Sequence, residues 1–260
     1  MNLAERIKQR KREIVEFLRR YSVAVCGADD NGVHIFGATG FFLALPHGAV
    51  LVTAEHVITR ITGGPRAALH GRTVDVEGQA CFASSTLALP RNDADIATIQ
   101  LSSSELAQVP PESLVHFDSL APDPDAMRPG PYFLIGFHEP NQEIDRAAMK
   151  VELMLTHVTL TEAKRAFYVN YRKSRAQQLL LGGRPSRIVT PSGRGGVPHF
   201  HGMSGSPVWL ISNGATPSIE NHPPLVGIFV AQPNNSRKIL RVDRAGLLIR
   251  HLKVAHPNLL

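Results

Sequence analysis

Cysteine, long apolar runs and a secretion signal are what this chain has least of. Its 260 residues include only two cysteines, Cys26 and Cys81. Two thiols close one bridge at most, so no disulfide framework is implied, and both read as buried, reduced side chains. Pro46 and His47 break the best apolar stretch, well short of the roughly 20 residues a helix needs to cross a bilayer. Arg6, Lys8, Arg10, Lys11, Arg12, Arg19 and Arg20 run through the first 21 residues with no apolar segment after them, which is not the pattern of a signal peptide. The expectation is a soluble, cytoplasmic protein. The formal net charge of +6 leaves an acidic partner open, but it is modest for a dedicated nucleic-acid binder.

What is present favours strands. The hydrophobic fraction is 43%, enough for a sizeable core, and 260 residues suit one large domain or two small ones. Twenty-one glycines and 19 prolines supply the turns an all-β architecture needs. Residues 2–21 form a basic amphipathic helix, with Leu3, Ile7, Ile14, Leu18 and Tyr21 on one face. That face docks on the domain or on a partner, nucleic acid or anionic lipid being the minor reading. From residue 22 short β-type runs begin: 22–26, 33–36, 40–45, 49–53, 72–76, 80–87, 96–101, 132–136, 149–160, 207–212 and 225–230, separated by turn chemistry. Residues 244–254 read as a terminal helix. The Pro- and Asp-rich stretch 106–130 is the natural linker between halves, and 182–202, with six glycines, reads as an exposed loop.

Three short motifs carry chemistry, in the order His, Asp, Ser. Thr53-Ala54-Glu55-His56 ends an apolar run, so His56 stands at the end of a buried strand facing a cleft. An imidazole of ordinary pKa, about 6.5, takes and returns a proton near neutrality. Asp95 abuts the apolar run Ile96-Ala97-Thr98-Ile99, where burial strengthens its hold on an imidazolium; Asp93 is the competing carboxylate. Ser204 lies in Gly202-Met203-Ser204-Gly205-Ser206-Pro207, where flanking glycines permit a tight turn. Such a turn aims the N–H groups of Gly202 and Ser204 at one point, an oxyanion hole in which one donor is worth roughly 3–4 kcal/mol. A serine hydroxyl needs a base, and the base needs a partner that holds its tautomer. Thirty-nine residues separate His56 from Asp95 and 109 separate Asp95 from Ser204.

These motifs resemble those of the trypsin-like, chymotrypsin-fold serine peptidases. Thr53-Ala54-Glu55-His56-Val57 is similar to the family's histidine motif, Asp95-Ile96-Ala97 to its aspartate motif, and residues 202–207 to its serine motif. Gly37-Ala38-Thr39-Gly40-Phe41-Phe42 and Val226-Gly227-Ile228 are similar to its strands before the histidine and after the serine. The resemblance covers about residues 22–252. It implies a mainly β fold of two six-stranded antiparallel barrels, with an N-terminal and a C-terminal helix added. Residues 1–21 form the first helix, 22–115 the first barrel with His56 and Asp95, and 116–260 the second barrel with Ser204 and the C-terminal helix. Met203 stands where the digestive enzymes place an aspartate that receives a newly cut N-terminus, so activation by clipping is not expected. The likeness is closest to bacterial intracellular members.

The resemblance places the substrate pocket between residues 194–201 and 230–232, which nominates His201, Val230, Ala231 and Gln232. His199 and His201 have no Cys or acidic partner nearby, so no metal or other cofactor is expected. The basic residues Lys164, Arg165, Arg172, Lys173, Arg175, Arg184 and Arg187 read as solvated surface. Two functions follow. One is an endopeptidase acting on protein or peptide through Ser204, His56 and Asp95, restrained until a protein partner engages the N-terminal helix or orders loops. The other is a silent peptidase-like module that binds a peptide or nucleic acid.

Overall fold

A computed structural model gives the fold, and it describes residues 2–28, 34–61, 65–69, 72–90, 93–121, 130–138, 143–145, 150–152, 155–171, 174, 176–182, 188–190, 193–194, 200–211, 217–218, 222–231 and 239–260. Helix α1 (Leu3–Leu18) starts at a capping box in which Asn2 and Glu5 satisfy each other's backbone N–H groups. It ends in a tight 3₁₀ turn at Arg19–Tyr21. Ile14, Phe17, Leu18 and Tyr21 are buried, each worth about 1.5–3 kcal/mol of apolar burial. The first turns are different: Ile7, assigned to the docking face by its spacing, is 51% exposed.

The first half is an open sheet. Strands β1 (Val23–Ala28), β2 (His34–Leu45), β3 (Gly48–Thr53), β4 (Arg66–Leu69), β5 (Arg72–Asp75), β6 (Ala80–Phe82) and β7 (Ala97–Gln100) run in the order β5-β4-β1-β2-β3-β7-β6. Among the described residues β5 does not pair with β6, and this half is a half-barrel sheet. The runs 33–36 and 40–45 fuse into the long β2, which β1 meets through a bulge at Val25/Cys26. The run 80–87 is not one strand: after Phe82 the chain turns into the short helix α3 (Ala83–Thr86), four-residue α2 (Glu55–Ile58) having come earlier. Helix α4 is Ser103–Leu106. The linker expected at 106–130 carries structure over its described residues 106–121. Its β8 (Leu114–His116) lies parallel to β2, and Leu120 bridges Leu225. Parallel pairing across so long a connection leaves no hairpin signal to read.

The second half closes. Strands β9 (Tyr132–Phe137), β12 (Leu155–Glu162), β13 (Gln178–Gly182), β16 (Pro207–Leu210), β17 (Leu225–Ala231) and β18 (Ile239–Arg244) form the ring β13-β18-β17-β16-β9-β12, completed by β12–β13 pairing. This is the six-stranded antiparallel barrel. The hairpins β10 (Glu143–Asp145) with β11 (Lys150–Glu152), and β14 (Ile188–Thr190) with β15 (Gly193–Arg194), and helix α5 (Arg165–Asn170), are additions that periodicity did not reveal. Tyr132, Leu134, Val208 and Leu210 fill the barrel. Phe133, Ile135, Trp209 and Ile211, the alternate residues of the same strands, face the other way into the core of the first half.

Each terminal helix is strapped across the halves. Tyr21 packs on Trp209 of the barrel with ring centroids 5.4 Å apart, and its hydroxyl lies 3.2 Å from His222 Nδ1. Helix α6 (Ala245–Ala255) leaves the barrel, yet Leu247, Leu248 and Leu252 join the first half's core. Beneath it sits a polar set. Thr86 Oγ1 donates to the Phe82 carbonyl (3.1 Å) and so accepts from His251 Nδ1–H (2.7 Å). Thr98 Oγ1 then donates to His251 Nε2 (2.7 Å) and accepts from His256 Nε2–H (2.8 Å). Every hydrogen in this set is used only while both imidazoles are neutral. Cys26 is buried and Cys81 half-buried, both unbridged. Among the described residues no helix is long and apolar enough to cross a membrane.

Candidate active site

His56 is the second residue of α2, whose N-cap position is Ala54, a side chain with nothing to offer the free N–H groups. Asp95 supplies what Ala54 lacks. Its Oδ1 accepts the His56 backbone N–H at 3.0 Å, and its Oδ2 lies 2.8 Å from His56 Nδ1. A carboxylate has no hydrogen to give, so Nδ1 carries the proton and Nε2 keeps its lone pair. Burial by itself would raise the Asp95 pKa. The hydrogen bonds and charge of His56, with the charge of Arg241, together outweigh it and hold the carboxyl below its ordinary value. The neighbouring Glu55 is buried and accepts from Ser84 Oγ on α3. The helix that interrupts the run 80–87 thus anchors the histidine turn. No hydrogen bond or ion pair joins Asp93, the competing carboxylate, to His56 among the described residues; its backbone carbonyl accepts from Gln178 at 3.4 Å.

The serine turn sits directly on the strand that leads to His56. Thr39, fully buried, is the hub: its N–H donates to the Ser204 carbonyl (3.0 Å) and its Oγ1 to the Gly202 carbonyl (2.9 Å). The same Oγ1 accepts from the Phe137 N–H (2.9 Å), and the Thr39 carbonyl accepts from Thr53 Oγ1 (2.8 Å). Gly205, at φ +90°, is pressed so close that an added Cβ would stand 2.0 Å from the Thr39 carbonyl oxygen and 2.4 Å from Thr53 Oγ1. Only glycine takes that conformation and that contact. Gly202 is also at positive φ, 83°. Met203 is buried in the barrel core with Phe200, away from solvent and ions.

The amides of this turn divide into two sets. Met203, Gly205 and Ser206 donate to Phe200, Phe229 and Met203 carbonyls. The N–H groups of Gly202 and Ser204 have no acceptor among the described residues. The Ser204 hydroxyl donates to the Val230 carbonyl at 3.3 Å, and no hydrogen bond joins it to His56 among the described residues. The structure therefore brings His56 and Asp95 into direct contact and stacks the Ser204 turn on Thr53, three residues before His56.

Of the nominated pocket residues, His201 is exposed, Val230 is buried and Ala231 is half-buried. Gln232 and His199 lie outside the described residues. So do Arg172, Lys173, Arg175, Arg184 and Arg187; Lys164 is exposed. Among the described residues no group of three His, Cys, Asp or Glu side chains is placed to hold a metal. Sequence reasoning missed the hub role of Thr39 and the residues behind Asp95, namely Asp243, Arg241 and Gln178. The alternation Leu240-Arg241-Val242-Asp243 was the available signal, since it puts two charges on one face of a strand and apolar residues on the other.

No protein-family model and no curated protein sequence matches the chain. Solved structures do. GrC matches at a TM-score of 0.58 with 14% identity, over 93% of this chain and 96% of the other. The Vibrio cholerae VesB protease matches at 0.56 with 12% identity, over 91% of this chain and 64% of that one. The active form of the M. tuberculosis Rv3671c protease matches at 0.50 with 14% identity, over 94% and 84%. Identities this low establish the architecture, and that architecture is the chymotrypsin-like one which the motifs implied.

Proposed function

We propose that this chain is a serine endopeptidase acting on protein or peptide substrates through an acyl-enzyme. Ser204 Oγ attacks the scissile carbonyl carbon as His56 Nε2 takes its proton. The Gly202 and Ser204 N–H groups receive the oxyanion. The imidazolium, steadied by Asp95, then gives the proton to the leaving amine, and water repeats the sequence in reverse roles. The observation that carries this reading is the two-point grip of Asp95 on His56, which fixes the tautomer with a free Nε2 lone pair. The acceptor-free amides flanking Ser204 support it, as do the two named proteases of the same fold. The cytoplasmic setting and control by a partner at the N-terminal helix belong to this proposal too.

One observation favours the second reading, a module that binds without cleaving: the Ser204 hydroxyl faces the Val230 carbonyl and not His56. Catalytic hydrogen bonds often form only with substrate present, so a trapping reagent decides. A fluorophosphonate reacts efficiently only with a serine whose base and oxyanion hole are assembled. The wild-type chain is expected to be labelled and Ser204→Ala not. Labelling lost in Ser204→Ala establishes the endopeptidase, and no labelling in the wild type between pH 7 and 9 would leave a chain held latent until a partner engages it or the binding module.

A further inference from the structure

Against Asp95 lies a buried polar set contributed by the barrel. Asp243 of β18 is completely buried. Its Oδ2 accepts the Asp95 backbone N–H at 2.8 Å. Gln178, its register partner on β13, reaches Asp243 Oδ1 and the Asp93 carbonyl, both at 3.4 Å. Arg241, two residues earlier on the same face of β18, is 10% exposed; its Nη2 stands 3.6 Å from Asp95 Oδ2 and its Nε 3.6 Å from Asp243 Oδ1. A fully buried carboxylate is costly, and it persists where it has something specific to hold. Here it holds the main chain at the residue that orients the base.

We infer that Asp243 and Arg241 are positioning residues: Asp243 fixes the Asp95 main chain to the barrel that carries Ser204, and Arg241 sets the charge that the Asp95 carboxylate presents to His56. This rests on the endopeptidase reading. The open half-barrel contributes His56 and Asp95 and the closed barrel contributes Ser204, so their relative placement depends on contacts across the boundary. The Asp243–Asp95 hydrogen bond is such a contact, one bond from the carboxylate-bearing Cα. Burial, as the leading cause, pushes the Asp243 carboxyl up to about 6, with Arg241 and the Asp95 N–H opposing it. Among the described residues the charged or titratable groups touching Asp95 are His56 from α2 and Arg241 and Asp243 from β18.

The test uses the full chain and three variants, Arg241→Met, Asp243→Leu and Asp243→Asn, with two readouts. One is the second-order rate of fluorophosphonate labelling. The other is the titration of His56 followed by NMR of its ring Cε1–H, which needs no catalysis. Asp243→Leu removes the acceptor and is expected to slow labelling about 10²-fold, the scale of an ångström of misplacement. Asp243→Asn keeps a carbonyl oxygen for the Asp95 N–H and is expected to recover the rate to within about tenfold of wild type. Arg241→Met leaves the Asp95 carboxylate without the cation 3.6 Å away and should move the His56 midpoint upward. A merely structural role would move neither the midpoint nor the rate of a folded variant. Asp243→Leu labelling at the wild-type rate, or a His56 midpoint unmoved in Arg241→Met, overturns the assignment. Should Asp243→Leu fail to fold, the Arg241→Met titration decides alone. A wild-type chain that does not label, with a midpoint that still moves in Arg241→Met, would count against the endopeptidase reading and keep the hold of Arg241 on the Asp95 charge.

Discussion

The two halves of the site are built to different standards of constraint. On the side of the proposed base, Asp95 is held at its backbone by Asp243, and its carboxylate holds both the main chain and the ring of His56. On the side of the proposed nucleophile, the main chain of residues 202–206 is pinned by Thr39, Phe229 and its own turn, but the Ser204 side chain has one long bond to Val230. The difference has a physical use. The tautomer and direction of an imidazole must be set before a proton can move, whereas a hydroxyl reorients by rotation about one bond at little cost. Rigidity is concentrated where misorientation would persist.

The largest effect that separates the halves is on rate. Ser204→Ala is expected to lower kcat at least ~10⁴-fold with little change in melting temperature, because the hydroxyl's one hydrogen bond, to the Val230 carbonyl, is long at 3.3 Å; a large fall in both would mean the side chain is structural. Gly205→Ala strikes the backbone of the same turn. Positive φ and the contact with the Thr39 carbonyl are expected to cost about 4 kcal/mol, read in a denaturant melt, and an unchanged midpoint would show the turn to be pliable.

Acid should act on the other side. Burial first, then the charge of His256, depresses His251 to about 4, while in the unfolded chain an imidazole titrates near 6.5, at about its free value. The unfolded state therefore takes up the proton first. Stability from this group is intact above about pH 6.5 and is lost as pH falls toward 4, by up to about 3 kcal/mol. Melting at pH 7.5 and pH 5 checks it, and His251→Gln should flatten the slope between them. The smallest effect belongs to the hub. Thr39→Val leaves the Gly202 carbonyl and the Phe137 N–H without their shared hydroxyl, an expected cost of about 2 kcal/mol, with slower labelling if the hub also sets the amides of the serine turn.

Much of this was legible because it is local. The motif around His56 announces a strand end, the glycines around Ser204 announce a tight turn, and the spacing leaves room for the intervening strands. The illegible parts are long-range. Nothing near Leu114 says that it will lie parallel to Phe42. Ala83–Thr86 follows directly on the strand-like run Ala80–Phe82, but Ser84 turns to meet Glu55, 29 residues away. Asp243 reads as an ordinary charged residue in a strand until the fold sets Asp95 against it, 148 positions earlier in the chain. Tyr21 shows the same in reverse: it was placed on a docking face, but the surface it docks on is Trp209 and His222 of the far half.

That cross-strapping predicts how the molecule behaves once cut. Helix α1, at the head of the chain, grips the barrel through Tyr21, and α6, at its tail, fills the core of the half-barrel through Leu247, Leu248 and Leu252. A nick introduced between residues 121 and 130 would yield two fragments, each embracing the other with its outer end. They are expected to co-elute from a sizing column as a noncovalent heterodimer, and to part only in denaturant.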